Sequence, residues 1–90
     1  MRGMWTRRMT MIGGQTAPDD WTILRRGQVV GRVHRGRLVN GAIRIHWSTM
    51  LYPCDRGWCD TVEGAQEQLR AAIRARWPDE VGPLPMAGTR

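Results

Sequence analysis

The side chains with the most chemistry in this chain fall in two short stretches: Arg32, His34, Arg35 and Arg37, then Arg44 and His46. In an extended chain alternate residues share a face. Arg32 therefore projects with His34, and Arg44 with His46, with Ser48 beside them. If the two stretches are neighbouring strands, their guanidinium groups stand close enough to span phosphates, with Arg35 and Arg37 in the following loop. The chemistry this suggests is contact with a nucleic-acid backbone, sensitive to salt and weakly selective for sequence. A basic sheet face is a candidate to enter the major groove of duplex DNA or RNA. It lacks the aromatic platforms on which single-strand binders stack bases.

Other constellations are incomplete. Cys54 and Cys59 make a C-x4-C pair, half of a zinc site. His34 and His46 would have to complete it, yet alternation puts them on the outer face, away from the loop holding the cysteines. Two ordinary thiols are expected, in preference to a metal centre or a disulfide. A cysteine with one of these histidines is the only candidate nucleophile–base dyad, and nothing orients the base or forms an oxyanion hole. The acids cluster in the helix and loops, and no glycine spacing suits a phosphate cradle. The expectation is a protein without catalytic residues, metal or cofactor. Trp58, between the cysteines in a loop, is a candidate anchor for a protein partner, whereas Trp21, Trp47 and Trp77 fall on expected inner faces.

These residues need a scaffold. Trp21 to Arg26 reads as a first strand, Gly27-Gln28 as a turn, and Val29 to His34 as a second strand, making a hairpin. Asn40-Gly41 supplies positions for a turn. Ala42 to Leu51 has the clearest alternation: Ile43, Ile45, Trp47, Thr49 and Leu51 point one way, and Arg44, His46, Ser48 and Met50 the other. The second strand matches it with Val29, Gly31 and Val33 inward and Val30, Arg32 and His34 outward. Ile23 and Leu24 compete for the inner face of the first. A helix begins near Asp60-Thr61, capped by an Asp60/Glu63 pair or by Thr61. Val62, Ala65, Leu69, Ala72, Ile73 and Trp77 form one apolar stripe, and Pro78 ends it. The expected fold class is α+β: a three-stranded antiparallel sheet packed on one face by a C-terminal helix, in β-β-β-α order.

Ninety residues make one domain. Residues 1–18 are expected as a disordered basic arm, 19–77 as the single domain, and 78–90 as a disordered Pro/Gly tail. All fourteen cationic residues are arginine; with Phe missing and Asn and Tyr occurring once each, this points to a GC-rich genome. Residues 1–58 hold ten arginines against three acids, a balance of +7, and residues 59–90 a balance of −1. The basic character lies in the arm and sheet, a field that attracts polyanions or acidic protein surfaces. No apolar run approaches the roughly 18 residues needed to cross a bilayer, and no apolar segment follows the N-terminal charges. A cytoplasmic location is expected, with no membrane partner. The uncovered sheet edges are compatible with a monomer or a weak dimer.

Trp21-x-Ile23, Val30-Gly31-Arg32-Val33, Ile45-His46-Trp47-Ser48, Gly57 and Asp60-Thr61-Val62-Glu63-Gly64-Ala65 together resemble a group of small bacterial and phage proteins. Their pattern is a VGRI strand, a WxWS-like strand and a TLEEA helix start ending in Trp. The resemblance covers about residues 20 to 77 and departs at Gly64, where Glu is usual, and at Ile45, where an aromatic is usual. It implies the three-strand-plus-helix fold and transfers no activity. Two functions remain open. One is a non-enzymatic nucleic-acid-binding module using Arg32, His34, Arg35, Arg37, Arg44 and His46. The other is a phage or mobile-element protein-interaction module centred on Trp58, such as an anti-CRISPR-like inhibitor of a host defence complex.

Overall fold

The computed structural model describes residues 4–51, 53–79 and 84. Strands β1 (Trp5–Ile12), β2 (Gln15–Arg25), β3 (Gln28–Arg37), β4 (Ile43–Thr49) and β5 (Arg56–Cys59) precede helix α1 (Val62–Arg76). The strands form one antiparallel meander in sequence order. The class is α+β, but the sheet has five strands where the sequence pattern predicts three. One extra strand comes from the expected disordered arm: residues 5–12 form β1, and β2 begins six residues before Trp21. Gly13 and Gly14, at φ 60° and 83°, make the tight turn that right-handed strand twist favours. The other is β5, built from the loop that contains Trp58. Residues 80–83 and 85–90 of the expected tail lie outside the described residues. Leu84 is buried, and the Gln28 side-chain amide binds both its main-chain N–H and its C=O.

Val30, Val33, Leu51, Ala65, Leu69 and Ile73 have no exposed surface, and Ile23 and Trp47 join them. The expected inner set of β3 shifts by a bulge. Ile23 pairs with Gly31 but Leu24 with Val29, so Val30 is the extra residue and turns inward. Val29, expected inside, is half-buried. Ile23 enters the core cluster; Leu24 is buried outside it.

Two glycines let the helix side close. A Cβ on Gly31 would stand 2.6 Å from Leu69 Cδ1, and one on Gly57 2.7 Å from Trp47 Nε1. Leu69 and the Trp47 indole thus lie directly on the backbone of a neighbouring strand. Trp47 Nε1 donates to Gln68 Oε1 at 2.9 Å, satisfying a buried indole donor.

Thr61 is the N-cap of α1, its Oγ1 accepting from the Gly64 N–H at 3.0 Å; Asp60 is engaged elsewhere. At the other end the buried Arg25 guanidinium donates to the carbonyls of Trp77 and Pro78 at 2.6 and 2.7 Å. A cation is favourable there because the last helical carbonyls lack intrahelical partners. The helix packs on β3, β4 and β5. Five strands span about 19 Å at their usual spacing, and one helix with side chains is about 10 Å across. The helix covers the β1–β2 side only in part, burying Ile23 and reaching the Trp5 ring through Arg74, and nothing among the described elements packs on the opposite face.

Candidate nucleic-acid interface

Residues directly opposite in an antiparallel ladder share a face, so the register places side chains in rows across the open face. One row reads Arg8, Thr22, Arg32, Ser48, Arg56 from β1 to β5. The next reads Asp20, His34, His46, Trp58, and Gly36 stands opposite Arg44 in the one after. The His34 and His46 rings are 5.2 Å apart, and His46 meets Trp58 edge-on at 4.8 Å. A Cβ on Gly36 would lie 2.9 Å from Trp58 Cη2. The indole therefore reaches from β5 across β4 to rest on the bare backbone of β3, with 38% of the residue exposed.

The arginines are not equivalent. Arg32 grips Asp20 with both prongs, Nε donating to Oδ1 at 2.9 Å and Nη2 to Oδ2. The Asp20 side chain is 8% exposed, and the Arg32 hydrogen bond holds its carboxyl below the usual range against the opposing effect of burial. Arg44 pairs with Asp60 at 2.9 Å, but Asp60 is 86% exposed, so that pair is weakly held and open to exchange. Among the described residues, Arg8 and Arg56 form no ion pair. Burial, followed by the positive charges of His34, Arg56 and Arg32, holds the His46 imidazole below its ordinary value. His46 Nδ1 and Arg44 Nε are buried without a hydrogen-bond partner.

The structure brings together Arg32, His34, Arg44 and His46 as the alternation predicts. It separates Arg35 and Arg37 from them. Both lie within β3 instead of a loop, and their partners Ile45 and Ile43 put them on the helix side of the sheet. Arg35 binds Asp19 at 2.7 Å, and Arg37 Nη1 donates to the Gly41 carbonyl at 3.1 Å. Trp58, expected in a loop, stands on β5 in the middle of the basic face and supplies the aromatic surface that the sequence reading finds missing. Arg8 and Arg56 lie on strands whose sequences carry no alternation to mark them. The Gly13-Gly14 turn was the available signal for β1.

The cysteines do not join this face. Cys59 stands opposite Ile45 on the helix side, where its Sγ accepts from Gln68 Nε2 at 3.4 Å, and both cysteines are free thiols. Among the described residues no group of three or more His, Cys, Asp or Glu is placed to hold a metal ion, and no helix is long and apolar enough to cross a membrane. Comparisons with protein-family models, curated proteins and solved structures find no match to this chain.

Proposed function

We propose that this chain is a non-enzymatic nucleic-acid-binding module whose open sheet face holds the phosphates of a single strand and stacks a base on Trp58. The observation that carries the reading is the combination of four arginines, Arg8, Arg32, Arg44 and Arg56, around a half-exposed indole on a face that no other described element covers. Arg8, Arg44 and Arg56 are the cations available for phosphate; Arg32, tied to Asp20, orients that carboxylate and shields it. Width argues against a duplex groove. A major groove is about 12 Å wide and admits a helix or a two-stranded ribbon, while this sheet is about 19 Å across. Sheet faces with arginine and exposed aromatics suit unpaired bases, whose π-faces are available.

Fluorescence anisotropy with labelled oligothymidylate and a duplex of equal length tests this. The single strand should bind more tightly, with a log–log salt slope of about −2, as three phosphate contacts require. Equal or tighter duplex binding, or no binding at low salt, refutes it. A second reading, a protein-interaction module such as a phage inhibitor of a host defence complex, draws on the same indole. Asp20 and Asp60 offset two of the four arginines, leaving a mixed-charge surface centred on an exposed Trp, the composition of a protein hot spot. Pull-down with nuclease treatment separates the two: a partner that survives nuclease favours the second.

A further inference from the structure

The sheet ends at β5, whose outer edge has the geometry to accept another strand. The Thr49 N–H donates to the Asp55 carbonyl at 2.8 Å, which fixes the alternation of the ladder. Asp55, Gly57 and Cys59 direct their main chain to β4, and Arg56 and Trp58 direct theirs outward. No other described strand pairs beyond them. The helix sits off-centre in the sheet, chiefly on β4 with β3 and β5 at its sides. A strand added beyond β5, at the usual spacing of about 5 Å, would lie beneath the flank of a helix about 10 Å across. A groove of about 480 Å³ is already there, lined by Trp47, Asp55, Arg56, Ala72, Ala75 and Arg76. Gln68, Ala72 and Ala75 share that flank of α1 at i, i+4 and i+7. Gly57 carries no side chain, so Trp47 meets the groove across bare backbone.

Charge defines the partner. The carboxylate in the groove, Asp55, is held by Arg76, Nε donating to Oδ2 at 3.0 Å and Nη2 to Oδ1 at 3.3 Å. Arg56 forms no ion pair among the described residues, so this edge is left with a positive charge. Side chains of an added strand would alternate between the two faces. Those on the helix side would meet Trp47, Ala72 and Ala75, which are apolar, and those on the open side would stand beside Arg56. We propose that β5 and the flank of α1 bind an extended protein segment of alternating apolar and acidic residues by strand addition, its main chain bonded to Arg56 and Trp58. The groove lies on the helix side, so this binding does not require the nucleic-acid face, although Arg56 and Trp58 border both.

Two-dimensional NMR of the full chain tests this with two blocked pentapeptides, one alternating glutamate with valine and one alternating lysine with valine. The glutamate peptide should shift the main-chain amides of Arg56, Trp58 and Ala75 saturably below about 5 mM. The lysine peptide should bind about tenfold more weakly or worse. Hydrogen exchange supplies the signature of strand addition. The Arg56 and Trp58 amides should exchange fast in the free protein and become protected with the glutamate peptide, while the Gly57 amide, bonded to β4, is protected throughout. Ala75→Glu, at an exposed helix position, should leave the melting temperature nearly unchanged and weaken the glutamate peptide about tenfold by like-charge repulsion. Ala75→Gln, the same size without the charge, should weaken it far less. Absence of shifts with either peptide, or equal binding of both, overturns the proposal. A shift of the Trp58 indole without protection of its main-chain amide overturns it too, as does a folded Ala75→Glu that binds like wild type.

Discussion

The two faces of this sheet use one device to opposite ends. On the helix side Trp47 of β4 lies on Gly57 of β5; on the open side Trp58 of β5 reaches over β4 to Gly36 of β3. Trp47 is 8% exposed with its indole donor bonded to Gln68, and Trp58 is 38% exposed. The difference is the helix. Where α1 presses Leu69 onto Gly31, the glycine contact is sealed into a core. Where no described element follows, the same contact leaves a flat aromatic surface among arginines. A glycine opposite a tryptophan therefore does not by itself mean core or site; the next layer decides.

Substitutions that affect one face and spare the other sharpen this contrast. Leu69→Ala should be the costliest, removing about 2–5 kcal/mol of stability by leaving a cavity beneath the helix. Denaturant unfolding measures it, and a loss below that of Trp58→Ala would show that the helix side is not the structural face. Asp20→Asn should change stability and binding with opposite signs, both through the open face. It loses a charged, part-buried hydrogen-bond pair worth about 1–3 kcal/mol, and it frees Arg32 to tighten oligonucleotide binding. Because Arg32 holds the Asp20 pKa below its ordinary value, that stability is present above the usual carboxylate range and fades as pH falls through it. The variant should erase this acid limb of the unfolding curve.

Trp58→Ala should cost about 1–3 kcal/mol of single-strand affinity, the worth of one stacked base, with a much smaller change in melting temperature than Leu69→Ala. Unchanged affinity in anisotropy would remove the aromatic half of the proposal. Arg56→Glu should flatten the log–log salt slope by about 0.7 while leaving the fold intact. His46 should show the smallest effect. Its pKa is depressed by burial and the neighbouring charges of His34, Arg56 and Arg32, so its stabilising contribution is full above about pH 6.5 and declines as pH falls through that value. Positive charge reaches the open face only at the lower end of that decline, where the folded imidazole itself takes up a proton, so melting temperature should begin to drop at a higher pH than the one at which oligonucleotide affinity rises. His46→Gln should uncouple the two trends.

Legibility followed burial. β4 was readable because Trp47, Thr49 and Leu51 are buried on one side while Arg44, His46 and Ser48 stand on the other, and periodicity reports that asymmetry. The helix was readable through its stripe, the Thr61 cap and Pro78. β1 was not: most of it is exposed at an edge of the sheet, so Arg7, Arg8, Met9 and Thr10 alternate nothing. β5 is four residues long, contains a glycine and sits between turns, too short for any period. The bulge at Val30 inverted two residues that strict alternation had placed, because an extra residue in one strand breaks a period of two.

By itself the sequence determined an antiparallel sheet under one C-terminal helix, the apolar stripe of that helix and the buried side of β4, and that Arg32, His34, Arg44 and His46 share the other side. Local periodicity and capping encode those features within a few residues of chain. Only the tertiary structure decided that the sheet is five strands wide, that Trp58 lies among the arginines, that Arg32 is held by Asp20 and that Arg35 and Arg37 face away. Each depends on pairing between segments distant in sequence, and register across strands, unlike alternation along one, leaves no local trace.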